Sequence, residues 1–179
     1  HALEMAMPLD FVLDNQNEFV QANEHFEYFF HPDKKMALTK RNNRTEKPGK
    51  SLSRLSKWYH EEVIAGYLPT LTKLVQNYFP PLATYARSGF LSAAREDYID
   101  RSYAVFTSER KQYGCEMEYF IPRENAEEAI VRVSDFIKRS GIKISLPIEV
   151  RWIAADSLPI SMCYGRETTS IAIHVSMGE

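Results

Sequence analysis

Four side chains towards the C-terminal end have types that can do chemistry together. In Ile148-Glu149-Val150-Arg151-Trp152, a carboxylate and a guanidinium stand two residues apart. In Ala172-Ile173-His174-Val175-Ser176, an imidazole and a hydroxyl repeat that spacing. Side chains alternate across an extended strand, so each pair would share one face, about 7 Å apart along it. A carboxylate accepts hydrogen bonds from hydroxyls, a guanidinium donates a planar fork, and an imidazole can do either. If the two segments pair, Glu149, Arg151, His174 and Ser176 converge on one side of a sheet, a set that suits a small polyhydroxylated ligand. A half-exposed antiparallel sheet also carries polar residues on its wet face, so the alternation leaves both readings open. Glu116 and Glu118 raise the same alternatives on a third segment, Tyr113 to Ile121.

Other chemistries find little support. The chain has seven glycines and no G-x-G, and it contains no G-x-S-x-G, P-loop or H-E-x-x-H. Cys115 and Cys163 form no C-x-x-C pair, and the histidines are scattered, so no metal site is expected. They read as two buried free thiols in a reducing compartment. The 179 residues carry a formal net charge of −2, which argues against a dedicated nucleic-acid-binding domain. The basic run from Lys40 to Lys50 has little aromatic interleaving and reads as a solvated loop. No stretch approaches the roughly 20 apolar residues of a spanning helix, and no secretory signal opens the chain. A cytoplasmic location is expected, with membrane association of a longer protein left open.

The elements that must position these groups follow from period. Residues 1–6, ahead of Met7, read as a cloning remnant and are set outside the fold. Pro8 to Ala22 has helical spacing at Phe11, Asn15 and Phe19. His25 to His31 and Met36 to Lys40 flank Pro32-Asp33-Lys34-Lys35 as a hairpin. Helical faces are predicted at Leu52, Leu55 and Tyr59, at Leu68, Leu71, Leu74, Val75 and Phe79, and over Leu82 to Leu91. Tyr113 to Ile121 alternates as a strand. Glu124 to Ser140 is the clearest helix, with Ala126, Ile130, Val133 and Ile137 as its stripe and Gly141 as its C-cap. Strands are predicted over Ile142 to Ala154 and Thr169 to Met177, with Asp156 to Glu167 as the loop between them. The sum is an α+β domain, its largely antiparallel sheet covered on one face by helices.

Several of these segments resemble one family. Cys115 to Pro122 resembles the Glu-Met-Glu-Tyr-x-x-Pro strand of the sugar-1,4-lactone oxidases, and Pro147 to Asp156 their Pro-x-Glu-x-Arg-x-x-Ala-x-Asp strand. Tyr164-Gly165-Arg166-Glu167-Thr168 is similar to their Tyr-Gly-Arg-Asp-Thr stretch, and Ala172-Ile173-His174-Val175 to their Ala-x-His strand. Phe26 to Pro32 and Leu38 to Asn42 also match, so the resemblance runs from about Phe11 to Val175.

These are the D-arabinono-1,4-lactone, L-gulonolactone and alditol oxidases, flavoproteins of the vanillyl-alcohol-oxidase fold. The resemblance implies that residues 7–179 are an incomplete substrate-binding, or cap, domain. The FAD-binding half and the family's C-terminal Pro-His-Trp-Gly-Lys run are not in this sequence. FAD would be held by that missing half and not by this chain, which alone would be inactive. Glu149, Arg151 and His174 would be catalytic, and Ser176 and Glu118 would bind the substrate, a sugar lactone or polyol. Ser176 stands where alditol oxidases have threonine. The face uncovered by the missing domain would be open to self-association. A non-catalytic carbohydrate- or metabolite-binding module is the alternative.

Overall fold

The computed structural model describes residues 1–58, 75, 78, 95–107, 114–142, 144 and 146–176. Alternation builds the strands β1 (Ala2–Pro8), β2 (His25–Phe30), β3 (Met36–Asn42), β4 (Arg95–Tyr98), β5 (Gly114–Pro122), β6 (Ile148–Ile153) and β7 (Thr168–Ser176). They form a seven-stranded sheet in the order β4-β1-β3-β2-β6-β7-β5. Every neighbouring pair in it is antiparallel. The described helices are α1 (Leu9–Ala22), α2 (Arg54–Trp58), α3 (Ser102–Phe106) and α4 (Ala126–Ser140). This is the α+β class expected.

One face of the sheet is apolar, and helices α1 and α4 cover it. Phe26, Tyr28 and Phe30 of β2, Ile148 and Val150 of β6 and Ile171 of β7 pack against Val12 of α1 and Ala126, Ile130 and Ile137 of α4. Burying a side chain such as Ile130 contributes on the order of 1.5–3 kcal/mol. The α4 stripe and caps follow the sequence. Glu127 and Glu128 sit in the first turn, Lys138 and Arg139 in the last, and Gly141 ends the helix at φ 70°. That left-handed conformation carries little penalty only for glycine. In α1 the buried positions are Val12 and Gln16, while Phe11 is exposed and Phe19 partly buried. The helix is therefore rotated from the face that Phe11, Asn15 and Phe19 suggested.

Three expectations need correction. Residues 1–6 do not lie outside the fold: β1 sits between β3 and β4, and Ala2 is fully buried. The strand expected over Ile142 to Ala154 is only Ile148–Ile153. Pro147 precedes it and has no N–H for a ladder, although Ile144 still reaches the core. Cys115 is exposed, while Cys163 is buried. β5 is an edge strand, so Met117 and Tyr119, on the helix-side face with Cys115, stay exposed beyond the helices.

Of the helices expected between Leu52 and Leu91, Leu55 lies exposed in α2 and Val75 is helical. Leu52, half-buried, precedes α2 and is not helical, and the other positions named there lie outside the described residues. Among the described residues, no helix is long and apolar enough to cross a membrane.

Candidate functional site

The second face of the sheet is polar, and strand register decides which groups meet there. Directly opposed residues share a face. One line of partners crosses all seven strands: Glu96, Glu4, Lys40, Glu27, Arg151, Ser170 and Phe120. The next runs Ala6, Leu38, Phe29, Glu149, Ala172 and Glu118. A third pairs His174 with Glu116. Glu149, Arg151, Glu118 and His174 are thereby brought to one face, as their alternation suggested. Ser176 is placed by backbone register, opposite Gly114. Gly114 permits that closeness, since a Cβ there would lie 3.0 Å from the Val175 carbonyl oxygen.

Arg151 is the hub. Its Nη2 donates to Glu118 Oε1 at 2.9 Å, and its Nε lies 3.4 Å from Glu149 Oε1. The Ser170 hydroxyl, fully buried opposite Arg151, donates to the same Glu118 oxygen. Burial works against the Arg151 charge, but Glu149, Glu118 and Glu27 outweigh it and hold its pKa above the ordinary arginine value. The side chain is 38% exposed, so part of the guanidinium still faces outward.

His174 lies deeper, at 12% side-chain exposure, beside Glu149 at 7%. Its Nδ1 is 3.3 Å from the Pro147 carbonyl oxygen, an acceptor, so that nitrogen donates. Its Nε2 is buried without a hydrogen bond and faces Glu116 Oε1 at 3.5 Å and Glu149 Oε2 at 3.9 Å.

Carboxylates outnumber cations along these three lines. Glu4, Glu27, Glu96, Glu116, Glu118 and Glu149 stand against Lys40 and Arg151, with His174 the titratable remainder. Lys40 sits between Glu4 at 3.8 Å and Glu27 at 3.9 Å. Such a face can hold hydroxyls and one polarised oxygen, and it repels a polyanion. Among the described residues, no group of three or more His, Cys, Asp or Glu could hold a metal ion. A cleft of about 310 Å³ lies elsewhere, lined by Phe26, Trp152, Arg123 and Glu167 among others; none of Glu149, Arg151 or His174 lines it.

The sequence profile of D-arabinono-1,4-lactone oxidase matches residues 1–178. The chain belongs to the D-arabinono-1,4-lactone oxidase family. It is 35% identical to an L-gulono-1,4-lactone dehydrogenase of Mycobacterium tuberculosis, over 99% of this chain and 42% of that protein. It is 24% identical to the L-gulonolactone oxidase of Bos taurus, over 94% of this chain and 39% of that protein. The chain thus spans about two fifths of the length of the relatives it matches. Its fold is similar to part of a solvent-stable cholesterol oxidase, with a TM-score of 0.50 and 11% identity over 99% of this chain and 43% of that one.

Alternation alone did not single out Glu27, Lys40 or Ser170. Ser170 shares the parity of His174 on β7, which is a usable signal. Glu27 and Lys40 become neighbours of Arg151 only through the β2–β6 pairing, a contact with no local signature.

Proposed function

We propose that this chain is the substrate-binding portion of an FAD-dependent oxidoreductase that oxidises a sugar-1,4-lactone of the D-arabinono-1,4-lactone type at a carbinol carbon. The observation that carries this is the Arg151 cluster, with the buried Glu149, the largely buried His174 and the partly buried Glu118 around one partly exposed guanidinium, within a chain that matches the family from residue 1 to 178. The outward part of Arg151 donates to the carbonyl or hydroxyl oxygens of the lactone and orients the ring. Glu118 and Glu149 fix the guanidinium plane, and Glu118 together with Ser176 contributes to hydroxyl recognition. Glu149 and His174 stand behind Arg151 as acceptors for the proton of the reacting hydroxyl.

Flavin, when bound, supplies the hydride acceptor, and oxygen is the proposed final oxidant. The carboxylate excess on this face does not fit the diphosphate of a dinucleotide, so the flavin is assigned to the remainder of a longer protein. The test is anaerobic mixing of the full-length flavoprotein with D-arabinono-1,4-lactone, L-gulono-1,4-lactone and xylitol, followed by flavin bleaching. Rapid bleaching by at least one lactone is expected. Bleaching by xylitol alone, or by none of the three, contradicts the lactone reading.

A further inference from the structure

Oxidising a carbinol to a carbonyl breaks two bonds. The C–H electron pair leaves as hydride to the flavin, and the O–H bond gives up a proton that the protein must take and dispose of. On the reading proposed above, on which this inference rests, that proton is released beside Glu149 and His174. These are the two least exposed titratable side chains of the cluster, at 7% and 12%. Each turnover therefore loads a proton where water has little access, and a route out is needed.

We infer that Glu149, His174 and Glu116 form a proton relay from the inner side of Arg151 to solvent, with Glu116 as the exit group. The parts are in line. Glu149 turns Oε1 to Arg151 Nε at 3.4 Å and Oε2 to His174 Nε2 at 3.9 Å. Nε2 in turn faces Glu116 Oε1 at 3.5 Å, and the Glu116 side chain is 40% exposed. Both gaps exceed an ordinary N–H···O hydrogen bond, so transfer requires the side chains to approach one another.

The imidazole is wired for this direction. The Pro147 carbonyl can only accept, so Nδ1 keeps its proton in both states of the ring and Nε2 is the nitrogen that exchanges. Nε2 is buried without a hydrogen bond between two carboxylates, and a proton passed between it and either one would satisfy it. Ala172 adds little bulk between the strands that carry these groups. It is the register partner of both Glu149 and Glu118, and its methyl is the smallest side chain on this stretch of the face.

The charged groups that bear on the ring are Glu116 and Glu118 from β5 and Glu149 and Arg151 from β6, with Glu27 of β2 opposite Arg151. The balance closes. The hydroxyl proton enters at Glu149, one proton moves to Nε2, one moves from Nε2 to Glu116, and Glu116 passes one to water. Every member returns to its starting state.

The test uses the full-length holoenzyme. Glu116→Gln keeps shape and loses the exit carboxylate. It is expected to lower turnover by about tenfold or more, to leave KM for the lactone within about twofold, and to be relieved by added formate or imidazole. Glu116→Asp should keep most of the parental rate. Parental turnover in Glu116→Gln, or a loss that no small buffer relieves, overturns the relay while leaving the lactone reading in place. A second readout does not depend on turnover: nitrogen-15 NMR of the histidine ring in the same protein. Nδ1 should stay protonated on both sides of the His174 titration while Nε2 gains and loses the proton. A neutral ring with its proton on Nε2 overturns the wiring. A parent protein that no lactone reduces refutes the oxidase reading, and the ring tautomer then decides the wiring alone.

Discussion

Glu27 illustrates how one half-buried carboxylate tunes its neighbours. Burial pushes its pKa up, Lys40 pulls it down, and Glu149 adds to the rise. The folded chain therefore binds this proton at a higher pH than the unfolded chain does. Its contribution to stability is complete below the ordinary glutamate range and is lost as pH rises through the raised value. Glu27→Gln cannot ionise, so its stability relative to wild type should be better at pH 7 than at pH 4, by about 1 kcal/mol. Urea unfolding of both proteins at the two pH values measures this; an equal difference at both would contradict it. Glu149, Arg151 and His174 were readable beforehand because β6 and β7 each alternate cleanly, with apolar residues on the opposite parity. Glu27 was not, because its importance comes from a partner strand far along the chain, and nothing local in His25 to Phe30 announces it.

At the scale of elements, legibility tracked how much each segment specifies by itself. Helix α4 carries its own stripe, its own charge polarity and its own stop at Gly141, so its span was readable within a few residues. The β2–β3 hairpin was equally plain, from two strand patterns around Pro32 and Asp33. β1 was not. Leu3 to Met7 holds no turn signal and only a weak alternation, and the seven register partners of Ala2–Pro8 in β3 come from elsewhere in the chain. Placement between β3 and β4 makes β1 internal to the sheet. Removing residues 1–6 should therefore take away the pairing of two neighbours at once. A fall in Tm on the order of 10 °C is expected, equivalent to about 3 kcal/mol in a chain of this size. Thermal unfolding by circular dichroism checks it, and an unchanged Tm would mean that β3 and β4 hold without their intermediary.

Over the whole molecule, the fold separates two tasks by sheet face. The helix-covered face holds the aromatic and aliphatic core, where Phe26, Tyr28 and Trp152 lie ring to ring. The other face holds the charged lines, and the strand order sets β6, β7 and β5 side by side so that Glu149, Arg151, His174, Glu118 and Glu116 meet. The α+β class was legible because alternating segments and one amphipathic helix admit few arrangements. The order β4-β1-β3-β2-β6-β7-β5 was not, because antiparallel pairing between distant strands leaves no periodic trace in either. On the function proposed above, this polar face is where the lactone is oxidised. The most direct test is the rate of flavin reduction by lactone, followed by stopped flow in the full-length protein for Arg151→Lys, Glu149→Gln and His174→Ala. Arg151→Lys retains the charge and loses the planar fork, so reduction should slow by more than about tenfold, or about 1.4 kcal/mol of transition-state stabilisation, with reoxidation unchanged. Parental reduction rates in all three variants, each still folded, would make this face ordinary sheet surface.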